Sequence, residues 1–411
     1  MSGLVCRNCG SALHHTFADL GESPLANSFL RPGDLSSPEP RFPLHARVCA
    51  QCFLVQLPEI QRPENIFSDY AYFSSFSESW LRHARDFADF AIRRFALRPA
   101  SLVVEVACND GYLLQYFRER SIPVLGIEPA ANVAQAALDK GIPTLIRFFG
   151  LATASELQAS GRPADLLVAN NVLAHVPDLA DFVAGLHRAL KPHGTIVLEF
   201  PHLLRLIEDN QFDTIYHEHF SYFSFLAAQD VLARHGLSVF DVEEVPTHGG
   251  SLRLFARHSA ANSAPPHARV ADLCARERAA GLRDLRTYES FGQKVCEVKH
   301  ALLAFLRQAC DAGKSVAGYG APAKGNTLLN FCGVGPDLLP YTVDVSPHKQ
   351  GLFLPGSHIP IYHPGKIRET RPHYVLILPW NLREEIVQKN SYIREWGGRF
   401  VIPIPVTQVL E

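Results

Sequence analysis

Apolar residues over positions 80–95 (WLRHARDFADFAIRRF) recur at helical spacing, so an amphipathic helix is predicted there. The pattern then changes. Residues 102–106 (LVVEV) form a short β-branched run that ends in a polar turn at Asn109, Asp110 and Gly111, and residues 112–118 (YLLQYFR) return to helix. A strand at 124–127 closes on Glu128 and Pro129, a helix follows at 132–140, and further strands are expected at 165–169 and 195–199. Strands alternating with helices through residues 100–200 predict a doubly wound, mostly parallel sheet. Residues 1–75 are rich in turns and poor in long periodic segments. The small, proline-bearing stretch 259–266 (SAANSAPP) reads as a linker, and a long amphipathic helix is expected over 287–312. Strand signals resume at 315–320, 341–344 and 374–378, each ending in a glycine, aspartate or proline turn. An α/β chain in three parts is expected: 1–75, 76–265, and 266–411 with its linker helix. The shared strand–turn–helix rhythm of the two larger parts hints at duplication.

A chain of 411 residues exceeds what one core usually organises, in keeping with that division. Hydrophobic residues at 47% and charged residues at 19% exclude a disordered or fibrous class. The 39 basic and 41 acidic residues nearly cancel, so no general field draws the chain to nucleic acid or an anionic membrane. No apolar run approaches bilayer length, and the opening MSGLVC lacks the features of a signal peptide. A cytoplasmic protein is the expectation.

Nine cysteines, an odd number, argue against a disulfide framework. Cys108, Cys274, Cys296, Cys310 and Cys332 lie singly among apolar neighbours, whereas Cys6 with Cys9 and Cys49 with Cys52 make two CxxC knuckles. Two such turns supply the four sulfurs of a tetrahedral zinc shell and leave no open position for catalysis, so a structural staple is expected.

In a doubly wound sheet, ligands bind at the carboxyl ends of the strands. The first such turn, 105–111 (EVACNDG), lacks the Gly-x-Gly-x-x-Gly path that a dinucleotide needs. Glu105, Cys108, Asn109 and Gly111 in that turn are cofactor candidates, with Glu128 and Pro129 after the second strand and Asn170 and Asn171 after the third. Glu128 is placed to accept from ribose hydroxyls. Acidic turn, ribose acid and polar strand end together suit S-adenosylmethionine, which carries a sulfonium and no phosphate; Cys108 is expected to pack beside it. Residues 212–223 (FDTIYHEHFSYF) set Tyr216, His217, Glu218 and His219 among aromatics, where proton affinities are displaced. A histidine there can take a proton from carbon beside a carbonyl. Tyr216 and His219 converge with their neighbours only if the segment turns. The spacing is not the His-Glu-x-x-His of a zinc protease helix. His175 is a second cleft candidate.

The segments CxxC…CxxC, DYAYFSSFS, EVACNDGYLL, GIEPAANVA, NNVLAHVPD, IYHEHFSYF, THGGSLR and GYGAPAKGN resemble, in this order, the zinc-containing, S-adenosylmethionine-dependent C-3-methyltransferases of nucleotide-linked ketodeoxysugars. The likeness runs from Cys6 to Ile361 and on through Pro379, Trp380 and Asn381. One departure is Ala107-Cys108, where the family often has Gly-Ser or Ala-Ser.

The resemblance implies a small N-terminal zinc-binding module, a central Rossmann-like class I methyltransferase domain and a C-terminal, second Rossmann-like α/β domain. It implies removal of the C-3 proton of a dTDP-4-keto-6-deoxysugar and attack of the enolate on the cofactor methyl, with His219 as base, Tyr216 and Glu218 in support and His175 nearby. Tyr70 or Tyr72 would line the nucleotide-sugar cleft, with Ser74, Ser75 and Ser77 as donors; Lys324, His348 and Lys349 would face it from the C-terminal side. The family also implies a monomer. A zinc-module RNA methyltransferase would need a basic groove and stacking aromatics that the overall charge disfavours. A non-catalytic nucleotide-sugar binder would have no use for the Tyr-His-Glu-His cluster.

Overall fold

Strict alternation in Phe42–Val48 buries Leu44, Ala46 and Val48 on one face and turns His45 and Arg47 outward, as a half-buried strand requires. This strand pairs antiparallel with His15–Ser23 and with Val55–Gln56. The computed structural model describes residues 4–62, 73–261 and 265–411. The fourth strand of the sheet is Ser221–Tyr222, supplied from far along the chain out of the IYHEHFSYF segment, with Val55 opposite Tyr222 and Gln56 opposite Ser221. The buried face of the sheet packs on the linker helix Phe291–Asp311, where the Phe17 and Phe291 rings stack at 4.6 Å. That helix starts later than the expected 287, because the chain first makes a short helix, Leu285–Glu289, capped by Asp284. The N-terminal part also shares one continuous apolar core with the C-terminal domain.

The central sheet has seven strands, in the order Leu237–Val245, Ser251–His258, Leu190–Pro201, Ala164–Asn170, Val103–Val106, Val124–Ile127 and Thr144–Leu145. The last five are parallel; Ser251–His258 and Leu237–Val245 complete the edge in antiparallel register. All four residues of Val103–Val106 are buried, as expected of a strand covered on both faces. The helix read over 80–95 is Glu78–Arg94, and its N-cap is Ser77, whose hydroxyl accepts from Trp80 N.

The C-terminal sheet runs Ile361–Tyr362, Thr342–Val343, Val316–Tyr319, Tyr374–Ile377 and Arg399–Ile402 in parallel, then Gln408–Val409 antiparallel. In chain order its five parallel strands repeat the 3-2-1-4-5 arrangement of the central sheet. A bonding detail repeats with it. Glu128 accepts from Asn109 N and Ala130 N, and Asp344, at the matching strand end, accepts from Ala321 N and Ser346 N. Among the described residues no helix is long and apolar enough to cross a membrane.

Candidate active site

The carboxyl edges of both parallel sheets border one cavity of about 540 Å³. On the central side the turn after Val103–Val106 is held in an unusual shape, with φ of +55° at Ala107, +50° at Asn109 and +76° at Gly111. Gly111 is required twice over: its φ disfavours a side chain, and a Cβ there would lie 2.3 Å from Ile142 Cδ1. Glu128 clamps this turn to the next strand through backbone N–H groups, each at 2.9 Å, and burial raises its carboxyl.

The turn is acidic throughout. Glu105 is fully buried, and burial pushes its carboxyl well above the usual range, with Glu128 and Asp110 adding to the effect and the Tyr112 hydroxyl opposing it. On the cavity wall itself the carboxyls are Glu128, Asp178 and Asp181, which suit a ligand bearing hydroxyl or cationic groups better than a phosphate. Asn170 Oδ1 and Asn171 Oδ1 are buried without a hydrogen-bond partner among the described residues, and both residues line the cavity. These acceptors and the acidic turn fit S-adenosylmethionine.

Asn109, Glu128, Pro129, Asn170 and Asn171 line the cavity, while three other cofactor candidates do not. Glu105 lies within the sheet, Gly111 packs on Ile142 and Ala137, and Cys108 sits beneath the turn in the space left by Gly126. Cys108 is thus buried in the core beneath the turn, and burial raises its thiol well above the ordinary value.

The segment after Phe212–Thr214 does turn: His219 N bonds Tyr216 O at 2.9 Å, which brings Tyr216 and His219 to the cavity. His219 Nδ1 lies 2.9 Å from Thr214 O and Nε2 lies 2.8 Å from Tyr216 Oη. A carbonyl only accepts, so Nδ1 carries the hydrogen and Nε2 presents its lone pair to the Tyr216 hydroxyl. Burial holds His219 well below its usual range, and nearby His175, His248 and Lys324 push the same way against the Thr214 carbonyl. The ring is neutral at physiological pH. His175 stands edge-on to it at 4.7 Å, donates Nδ1–H to Glu218 O and is lowered by burial to about 4.

Glu218 points elsewhere. It accepts from Asn27 Nδ2 at 2.6 Å, and burial raises its carboxyl to about 7 against the pull of Asn27 and Lys349. His217 also turns away and donates to Pro43 O.

The far wall is cationic. Lys324 reaches Asn381 Oδ1 at 2.9 Å above the Trp380 ring, and Lys349 reaches Ala321 O at 2.8 Å. Burial lowers both ammonium groups, and both line the cavity. His348 instead stacks on Phe73.

Of the serines, Ser74 borders the cavity with its backbone N–H on Asn109 Oδ1, Ser75 receives Lys140 Nζ, and Ser77 is spent on the helix cap. Tyr70 and Tyr72 lie outside the described residues. The cavity also recruits residues the sequence reading passed over: Asn27, Trp80, Tyr112, Phe149 and His248. His248 sits within the THGG stretch at a φ of +54°, bonded to Asn171 and lowered by burial to about 4. That stretch, and Tyr112 directly after the acidic turn, were the available signals.

Apart from this cavity, Cys6, Cys9, Cys49 and Cys52 place their sulfurs within 4.8 Å of one another, with Cys6–Cys52 and Cys9–Cys49 each at 3.5 Å. Zinc–sulfur bonds of about 2.3 Å set tetrahedral edges of roughly 3.8 Å, so the four thiols fit that ion.

Family profiles match three consecutive stretches: a zinc binding domain over residues 6–67, a methyltransferase domain over 80–242 and a C-methyltransferase C-terminal domain over 246–405. The chain is 37% identical over 405 residues to the C-methyltransferase NovU of Streptomyces niveus, covering 98% of this chain and 96% of that one. It is 29% identical over 118 residues to a ubiquinone biosynthesis O-methyltransferase of Rhodopseudomonas palustris (strain BisA53), covering 27% of this chain and 46% of that one. Among solved structures, magnesium protoporphyrin IX methyltransferase from Synechocystis PCC 6803 aligns with 44% of this chain and 79% of its own, at 15% identity and a TM-score of 0.33. From its acidic cofactor turn to its four-cysteine module, the chain belongs to the zinc-binding, S-adenosylmethionine-dependent C-methyltransferase family.

Proposed function

We propose that this enzyme methylates C-3 of a nucleotide-linked 4-keto-deoxysugar, dTDP being the expected carrier, through an enolate that His219 generates. The observation that carries the reading is the neutral Tyr216–His219 pair facing Lys324 and Lys349 in the cavity that the cofactor turn borders. Bound S-adenosylmethionine supplies an electrophilic methyl group. Asn109, Glu128, Asn170 and Asn171, which line the cavity, would hold it.

When the Tyr216 hydroxyl turns its hydrogen from His219 Nε2 to the ketone oxygen of the substrate, the freed Nε2 lone pair takes the proton from the adjacent carbon, and the C–H electron pair moves onto the carbonyl oxygen. Once protonated, Nε2–H donates to Tyr216 Oη, while the Tyr216 O–H bonds the developing oxyanion. Lys324, a desolvated cation on the opposite wall, favours the same negative charge. Among the described residues Lys324 and Lys349 hydrogen-bond only to neutral oxygens, so an anionic substrate such as a nucleotide diphosphate would match them better than a neutral sugar. The relative named a C-methyltransferase agrees with a carbon acceptor. The four-cysteine site serves as a staple in this reading.

The test is transfer of labelled methyl from the cofactor to a panel of 4-keto nucleotide sugars and to RNA. Turnover on a nucleotide ketosugar, with the label at the carbon beside the ketone, is expected. Methylated RNA with untouched sugars would refute the reading.

A further inference from the structure

The catalytic turn and the four-cysteine knuckle are joined by one side chain. Arg7 lies between Cys6 and Cys9, and its backbone N–H donates to Gln56 Oε1 at 3.0 Å while Gln56 Nε2 reaches Cys6 Sγ at 3.2 Å. The Arg7 guanidinium extends across the sheet in the other direction. Nη2 donates to Leu57 O at 2.5 Å, Nη1 to Ser221 Oγ at 3.3 Å, and the group lies over the Phe220 ring at 5.5 Å. Phe220 directly follows His219. Its own backbone is fixed on both sides, with N–H to Ala174 O at 2.7 Å and its carbonyl accepting from Leu57 N at 3.0 Å.

We propose that Arg7 is a positioning residue: it ties the cysteine module to the Phe220 ring, the Ser221 hydroxyl and the Leu57 backbone that pairs with Phe220, and so sets the place of the His219 ring in the cavity. The inference rests on His219 being the working base. The strand pairing it reinforces is only two residues long on each side, Val55–Gln56 against Ser221–Tyr222, too little to fix a turn unaided. A planar guanidinium can serve the Leu57 carbonyl, the Ser221 hydroxyl and the Phe220 ring face together; an ammonium is a point donor and cannot. The N-terminal module therefore does more than stabilise the chain. It builds one wall of the catalytic turn.

Arg7→Met and Arg7→Lys test this, each measured for zinc content, cofactor Kd, kcat, KM and the 15N signals of the His219 ring in histidine-labelled enzyme. Both variants should keep about one zinc per chain, as a closed four-sulfur site demands, and wild-type cofactor Kd. In Arg7→Met, kcat should fall roughly 10- to 100-fold, the scale of a small misplacement of a reacting group, with KM changed far less. Arg7→Lys should fall between the two enzymes. The His219 ring signals should shift in both variants while those of His202, buried against Glu277, stay in place. Wild-type kcat with unshifted His219 signals would overturn the proposal, and so would loss of zinc, which would make Arg7 a part of the metal site alone. If Arg7→Met does not fold, Arg7→Lys decides by the same readouts. The ring signals require no substrate. Inactivity of the intact enzyme on ketosugars would therefore defeat the functional reading and leave this one to be judged on its own.

Discussion

Glu218 is held in the folded chain at a cost that pH should expose. Burial raises its carboxyl from an ordinary 4.5 to about 7, against the opposing Asn27 amide and Lys349 charge. Below pH 4.5 folded and unfolded chains both carry the proton, so the residue has no effect on stability. Between 4.5 and about 7 the unfolded chain releases its proton while the folded chain keeps it. Stability then falls by about 1.4 kcal/mol for each pH step, reaching about 3 kcal/mol above neutrality. Glu218→Gln keeps a carbonyl oxygen for Asn27 and never ionises. Urea unfolding of both proteins across this range should show nearly equal stability at the acid end and a variant about 3 kcal/mol more stable at the alkaline end. A difference that stays flat with pH, or a variant weaker at the alkaline end, would refute the burial argument. Because Glu218 faces Asn27 instead of the cavity, the variant should also lose less turnover than His219→Asn.

Three further outcomes are expected. Burial tends to raise Glu199, but His83 and Arg253 outweigh it and hold the carboxyl at about 2, so its stabilisation is present above about pH 4.5 and vanishes as pH falls through 2. Glu199→Gln removes the buried carboxylate shared by His83 and Arg253, leaving Arg253 only Glu243 at 3.5 Å, and should cost about 3 kcal/mol at neutral pH, read by urea unfolding; a loss below about 1 kcal/mol would contradict this. Gly111→Ala forces a side chain into a left-handed backbone and against Ile142, so it should cost about 1–2 kcal/mol and weaken cofactor binding in calorimetry. Cys49→Ser should bring zinc below one atom per chain by metal analysis and loosen the N-terminal sheet, as seen in amide exchange; full zinc content would remove Cys49 from the ligand set.

Much of the fold was legible because local pattern and final burial agree. The runs at 102–106 and 124–127 are buried on both faces, and their strand ends carry the turn and acid that the cavity uses. The CxxC pairs were equally readable, since two-residue spacing fixes sulfur geometry locally. What escaped were contacts made by distant parts of the chain. Nothing near Asn27 announces its bond to Glu218, 191 residues away, and nothing in a two-residue run marks Ser221–Tyr222 as an edge strand of the N-terminal sheet. Long-range packing also decides Cys108 and Ser77: each stands beside cavity residues in sequence, and the fold places one in the core and the hydroxyl of the other on a helix cap.

The most direct measurement follows hydrogen exchange at the carbon beside the ketone, by NMR in D2O, with a nucleotide 4-ketosugar and no cofactor turnover. The intact enzyme should wash deuterium into C-3. His219→Asn should slow that exchange by roughly 10²–10⁴-fold while binding S-adenosylmethionine as before. Exchange undiminished in His219→Asn would show that another group removes the proton.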